Sequence, residues 1–305
     1  MNMEKTHIFT SEQKASVQIV LAGILWGMKS IFVRGLGGAG FTSMEIVCLR
    51  MLFGSACLFV FLLATDREKL KVKPKDLWIF VSAGVISIAI HNYFSFTAMQ
   101  IGDSSVAVVL SNMSSVFALL MSVLFFHEKV TLKKIAALAM SVLGCVCIAD
   151  IFGMSLSLPV KVLLFGLASS FFYSTYSILG AVAMKKYDTT TMTFYSFLFA
   201  GIFTLMFVRV PVVVDIYRSD PSQLFRSAGI GILCAALPYA LYTNGLKWVE
   251  PGRASTLVST ETLVGILIGI LFFKEPVTLP RVAGMALILT AVILLNMPAK
   301  QRIKR

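Results

Sequence analysis

Four ionisable side chains stand inside long apolar stretches of the chain: Lys29, Arg50, His91 and Glu261. An unpaired charge in the middle of a membrane helix costs about 2.5–3.5 kcal/mol on insertion scales, so such groups face a cavity or a partner. Lys29 and Glu261 have opposite signs. Two chemistries follow: a site that handles a charged substrate or a proton, or a structural ion pair that locks two helices. His91 either lines a cavity or makes an interhelical hydrogen bond. Arg50 reads as structural. Its place near the start of its segment puts it close to one membrane face, where a long side chain snorkels, and Glu45, Asp103 and Asp150 lie toward the same side.

Polar and aromatic residues occur at similar depth. Trp26 precedes Lys29 by three positions, Asn92 and Tyr93 follow His91, and Ser111, Asn112 and Ser115 share one segment. Tyr173 and Tyr176 lie on a later segment, as do Tyr239 and Tyr242. Aromatic walls with a few polar groups suit a small zwitterion or amine. Ser104, Ser111, Ser115 and Ser122 fall on one helical face, which is equally the pattern by which small hydroxyl residues pack membrane helices. The pairs Gly23/Gly27 and Gly265/Gly269 read as packing for the same reason.

Other patterns point away from an enzyme. Gly35, Gly37 and Gly40 spell the dinucleotide-loop pattern, but they follow a membrane segment and no strand–helix–strand unit surrounds them. His7, His91 and His127 are scattered, so neither a zinc motif nor a Ser/His/Asp set assembles. Cys145 and Cys147 are two residues apart and face different sides of a helix, so the cysteines read as packing thiols. No metal, cofactor or nucleic-acid partner is expected.

The elements that position these groups are membrane helices. Apolar residues make up 57% of the 305 and charged residues 14%, about half the soluble norm. Mean hydropathy is +0.85. Ten apolar segments, at 17–36, 44–64, 77–99, 104–126, 132–151, 160–184, 190–210, 226–248, 253–273 and 279–297, are each long enough for the hydrocarbon core. Lipid leaves no backbone group unsatisfied, so each segment is predicted to be a helix. Residues 1–16 are polar and lack a cleavable signal, which makes them and 298–305 cytoplasmic tails. Alternate loops and both tails hold 18 Lys and Arg against 7 on the other side, which also predicts cytoplasmic termini. From the cytoplasmic side Lys29 is about 18 Å deep, Glu261 about 12 Å and His91 about 21 Å. The net charge of +12 therefore belongs to loops beside lipid headgroups.

A shift of 147 residues lays VLFFHEKVTLKKIA on ILFFKEPVTLPRVA, with Ala107/Ala254, Leu110/Leu257, Phe125/Phe272, Glu128/Glu275 and Thr131/Thr278 identical. Five segments lie in each copy. An odd number inverts the second copy, giving an all-α integral membrane fold of ten transmembrane helices in two inverted five-helix repeats, 17–151 and 160–297. The mate of His127-Glu128 is Lys274-Glu275, which argues for a structural turn.

The segments GILWGMKSIFVRGL, EIVCLRMLFG and FFHEKVTLKKIAALAMSVLGC resemble the first EamA domain of the drug/metabolite transporter superfamily. LASSFFYSTYSILG, YALYTNGLKWVEPGRASTLVSTE and GILFFKEPVTLPRVAG resemble the second. The resemblance implies a central cavity lined by helices 1, 3, 4, 6, 8 and 9, and transport of small metabolites, often export of amino acids and related compounds. Ser114-Ser115 and Glu261-Thr262 stand where the family often has a mid-helix proline, which predicts straighter helices here. Met28, Lys29 and Ser30 replace small or neutral residues and alter the cavity charge.

The combined reading is a secondary transporter of the plasma membrane. It exports an amino-acid-like or amine metabolite by alternating access, with protons as the coupling ion under consideration. An importer and a non-transporting structural or sensory membrane protein are the alternatives.

Overall fold

A computed structural model describes residues 11–126, 131–148, 160–249 and 251–296. These residues fold as helices and turns, with no strand among them. The apolar segments of the sequence are helical over their described residues. Six helical stretches are long and apolar enough to cross a membrane, and seven if a bent pair counts as one.

The first stretch is α1 (Ser11–Gly27) followed by α2 (Lys29–Gly38), broken at Met28. Next come α3 (Ser43–Thr65) and a run of α4 (Leu77–Ser82), a π-helical segment (Ala83–Ile90) and α5 (His91–Ile101). Then follow α6 (Ser104–Ser111), α7 (Ser114–Phe126) and α8 (Leu132–Ile148). The remainder begins with α9 (Val160–Ala183), α10 (Thr189–Leu205) and α11 (Val210–Ser219). It continues through α12 (Ser222–Gly231), a π-helical segment (Ile232–Ala236) and α13 (Leu237–Gly245). It ends with α14 (Pro251–Val258), α15 (Thr260–Leu271) and α16 (Leu279–Asn296).

The two helices expected to be straighter are each interrupted by a tightened turn. The helix after Asp103 breaks between α6 and α7 at Asn112–Met113, and the later one breaks between α14 and α15 at Ser259. Neither break has a proline. Asn112 turns its side-chain Nδ2 back on the Val108 carbonyl at 3.0 Å, and Met113 N bonds Leu110 O at 3.0 Å, a tightened turn. At the second break Thr262 N bonds Ser259 O at 3.1 Å in the same manner. Both breaks and both π-helical segments coincide under the shift of 147 residues.

Close backbone approaches set the packing. α1 lies on α13, α14 and α15; α3 lies on α10 and α12; α9 lies on α5, α6 and α7; α8 lies on α16. A Cβ added to Gly27 would stand 2.7 Å from the Glu261 carbonyl oxygen, and one on Gly265 would stand 2.8 Å from the Val108 side chain. The buried core runs through Val47, Met51, Leu58, Phe96, Leu110, Phe197 and Ile288.

The bundle has two ends. The near end holds the Lys186–Asp76 pair at 2.8 Å, the Arg253–Glu12 pair and the Asn244–Gln18 hydrogen bond. At the far end Arg209 grips Glu45 at 2.9 Å and Arg281 meets Asp103 at 2.7 Å. The apolar blocks did not reveal α11. It turns 100° from α10, and Val213 and Tyr217 pack inward, with Tyr217 5.6 Å from the Phe41 ring.

Candidate functional site

The two broken helices and the broken first stretch meet around one cavity of about 300 Å³. The break at Met28 puts Lys29 on the first turn of α2, and the break at Ser259 puts Glu261 on the first turn of α15. Gly23 and Gly27 hold the two helices together at this level. Lys29 Nζ donates to Glu261 Oε1 at 2.6 Å, and Lys29 is 8% exposed.

Twelve of the thirteen candidate residues border this cavity: Trp26, Lys29, His91, Asn92, Ser111, Asn112, Ser115, Tyr173, Tyr176, Tyr239, Tyr242 and Glu261. Tyr93 does not. It follows Asn92 on α5 and turns toward Phe94, ring centroids 5.3 Å apart. Successive residues of a helix are about 100° apart, so the run His91-Asn92-Tyr93 cannot all face one side.

Trp26 meets Tyr239 edge-on at 5.0 Å and Tyr242 at 5.7 Å. The His91 ring lies 4.6 Å from Tyr173, which stacks on Tyr176 at 6.0 Å. His91 Nδ1 is 2.9 Å from the Ser169 carbonyl oxygen. A carbonyl only accepts, so Nδ1 carries the proton and Nε2 is left as the ring's other contact. Both alternatives for His91 therefore hold together: it makes an interhelical hydrogen bond and lines the cavity. Ser111 Oγ is 3.1 Å from Ser95 Oγ and 3.0 Å from Ser169 Oγ, tying α6 to α5 and α9.

The serine face divides along its length, not at the helix break. Ser111 and Ser115 border the cavity, whereas Ser104 is buried at the far end. Of Ser122, His127, Glu128 and Asp150, the Ser122 side chain and the other three residues lie outside the described set.

Arg50 differs from expectation. It does not snorkel to a face; it is 7% exposed and borders the cavity. Its Nη1 donates to Asn92 Oδ1, and its Nη2 donates to the Cys234 carbonyl at 2.8 Å. Residues missed on the sequence include Thr193 and Phe197 of α10, Thr243 of α13 and Val292 of α16. The lining thus includes α3, α10 and α16 as well as the helices the resemblance implied. The signal for Arg50 was present: it is the same depth from the far end as Asn92, its partner on a neighbouring helix.

At the far end Glu275 ties the helices together. Glu275, 7% exposed, accepts from Ser104 N at 2.6 Å, from Ser105 N at 3.0 Å and from Ser105 Oγ at 2.6 Å. It caps the start of α6, where free N–H groups and the helix dipole favour an anion. Arg34 adds a contact at 3.4 Å to Glu275, bonds Met99 O and Gly102 O, and covers the Phe273 ring at 4.4 Å. Lys274 before it adopts φ 55°, the left-handed conformation of a tight turn. At the near end the cavity reaches Thr189 and Thr243. Thr243 also borders a second cavity of about 460 Å³ whose wall includes Asp66, Lys69, Asp188 and Lys247.

Outside the apolar spans, the hydrogen bond to Asp76 pushes the Lys186 ammonium above its ordinary range. Among the described residues no three His, Cys, Asp or Glu side chains come together to hold a metal ion.

Apolar helices broken around a polar interior cavity define a membrane transport protein. The chain belongs to the EamA-like transporter family, whose pattern matches residues 13–149 and again 160–297. It is 28% identical over 280 residues to an uncharacterized transporter of Archaeoglobus fulgidus, covering 90% of this chain and 94% of that one. It is 22% identical over 297 residues to the uncharacterized inner membrane transporter YicL of Salmonella typhimurium, covering 96% and 98%. A solved structure shares the fold at a TM-score of 0.60 and 15% identity, over 92% of this chain and 95% of that one.

Proposed function

We propose that the chain is a ten-span secondary transporter of the plasma membrane. It exports a small amino-acid-like or amine metabolite by alternating access, and both termini are cytoplasmic. Its two halves, 17–151 and 160–297, form inverted repeats that rock about the central cavity. The observation that carries this reading is the cavity bordered by Lys29 and Glu261 at the breaks of two helices. Broken helices in a membrane interior leave backbone groups free to meet a solute only where a cavity receives them.

Further support comes from the packing. The contacts of α1 with α13 and α15 have counterparts in those of α9 with α5 and α7, and α3–α10 and α8–α16 pair each element with its mate. The Lys and Arg distribution makes the near end cytoplasmic. The cavity reaches toward that end through Thr189 and Thr243, while Glu275 ties α6 at the far end, an arrangement in keeping with cargo entering from the near side. Proton coupling through Glu261 completes the proposal.

The test is solute counterflow in proteoliposomes holding the purified full chain, with a panel of radiolabelled amino acids and amines. Saturable uptake that disappears in the Lys29→Met and Glu261→Gln variants is expected. Wild-type rates in both variants across pH would remove the pair from the mechanism.

A further inference from the structure

The charges around the central cavity do not balance. Lys29 and Glu261 neutralise each other at 2.6 Å. The other charged residue among the described lining residues is Arg50. Its two hydrogen-bond partners, the Asn92 amide oxygen and the Cys234 carbonyl, are both neutral. Its Nε–H is buried and has no partner. Arg50 forms no ion pair with a carboxylate among the described residues; Glu261 acts on it only through space and is already paired with Lys29.

A guanidinium has five N–H donors in a planar fork that matches a carboxylate, and a buried charge without a counter-charge is strongly disfavoured. The rest of the wall is suited to an apolar body. Trp26, Tyr239 and Tyr242 form one aromatic cluster, and Tyr173, which touches Tyr239, continues it to Tyr176. A cavity of about 300 Å³ is at the small end of ligand sites, sufficient for one compact molecule.

We propose that the group this site recognises is a carboxylate, taken by Arg50, on a small substrate with an aromatic or apolar body. This rests on the reading of the cavity as the transport site, and it narrows the substrate class. An amine lacking a carboxylate would bring a further positive charge beside Lys29 and Arg50 and leave the guanidinium without a counter-charge. A zwitterion satisfies both sides, its carboxylate on Arg50 and its ammonium toward Glu261.

Three probes of similar size separate these cases: 3-phenylpropionate, phenylalanine and phenethylamine. Binding to the purified full chain is read from tryptophan fluorescence and from the thermal midpoint. The carboxylate probes are expected to bind about tenfold to a hundredfold more tightly than phenethylamine, the range for one charge-assisted hydrogen-bonded contact. Arg50→Lys keeps the charge without the fork and should weaken 3-phenylpropionate by about tenfold. Removing a buried arginine can impair folding, so Asn92→Asp provides a second arm. It gives Arg50 an internal carboxylate at the loss of the 2.8 Å bond from Asn92 Nδ2 to Ile88 O. This variant should lose carboxylate binding while remaining folded.

Phenethylamine binding as tightly as the carboxylates overturns the proposal, as does wild-type protein that binds neither carboxylate. Uptake of the same probes into proteoliposomes distinguishes the two readings. Carboxylate-selective binding without movement leaves the carboxylate site standing and removes transport. Movement that favours the amine leaves transport standing and removes the carboxylate site.

Discussion

Gly27 of α1 lies so close to Glu261 of α15 that a methyl group in place of its hydrogen would stand 2.7 Å from the Glu261 carbonyl oxygen. This approach brings Lys29, two positions later, within a hydrogen bond of the Glu261 carboxylate. Gly27→Ala is therefore expected to force α1 and α15 apart and to lower stability by about 1–3 kcal/mol, the usual range for overpacking. Gly23→Ala meets its nearest atoms at 3.2 Å and should be milder. Thermal unfolding in detergent checks both, and an unchanged midpoint for Gly27→Ala would contradict the close contact.

Removing one member of the Lys29–Glu261 pair leaves a largely buried charge alone. Lys29→Met and Glu261→Gln should each destabilise by about 3–5 kcal/mol, whereas the double variant should recover most of that loss. Denaturation of the three proteins against the wild type gives the coupling directly. Additive losses in the double variant would show that the two charges do not depend on each other.

The far-end tie centres on Glu275. Glu275→Gln retains the shape but halves the acceptors for Ser104 N, Ser105 N and Ser105 Oγ, and it removes the charge facing Arg34. The tie should loosen and expose the cavity to the far side. With the five native cysteines replaced and Ser115→Cys as reporter, a membrane-impermeant maleimide applied from outside intact cells should label the Glu275→Gln protein faster than its parent. Equal labelling would mean that this tie does not close the cavity.

At the near end, Lys186 bonds Asp76 and its pKa lies above the ordinary 10.5. A raised folded-state pKa for a cation stabilises below the unfolded value and is lost as pH rises through the folded one. The wild-type thermal midpoint should therefore fall more steeply above about pH 10.5 than that of Lys186→Met. Parallel curves would show that the pair contributes nothing to stability.

Much of the site is legible in the sequence because depth in a membrane helix is simple arithmetic. Counting residues from the loops places Lys29 and Glu261 within reach, and their side chains do meet. Arg50 is misread because counting from one face ignores the neighbouring helix. Asn92 and the Cys234 carbonyl retain the guanidinium inside, and neither is visible as a charge pattern. The helix breaks are misread for a related reason. Missing prolines point to uninterrupted helices, but the side chain of Asn112 competes for the Val108 carbonyl and interrupts the regular helix without one. α11 escapes notice because its ten residues are too few to register as a span and Arg209 and Pro211 interrupt the apolar run.

The breaks at Asn112–Met113 and at Ser259 have a mechanical consequence. A straight rod crossing the bilayer transmits any tilt at one end to the other, so opening one mouth would drag the opposite mouth with it. Two short rods joined at mid-membrane behave as a knuckle: α7 can swing while α6 stays clamped by Glu275, and α14 can swing while α15 keeps Glu261 on Lys29. In the proposed transport cycle each mouth moves on its own lever, and the joint between the levers lies beside the cavity bordered by Lys29 and Glu261, where a small displacement of cargo has the greatest leverage on both.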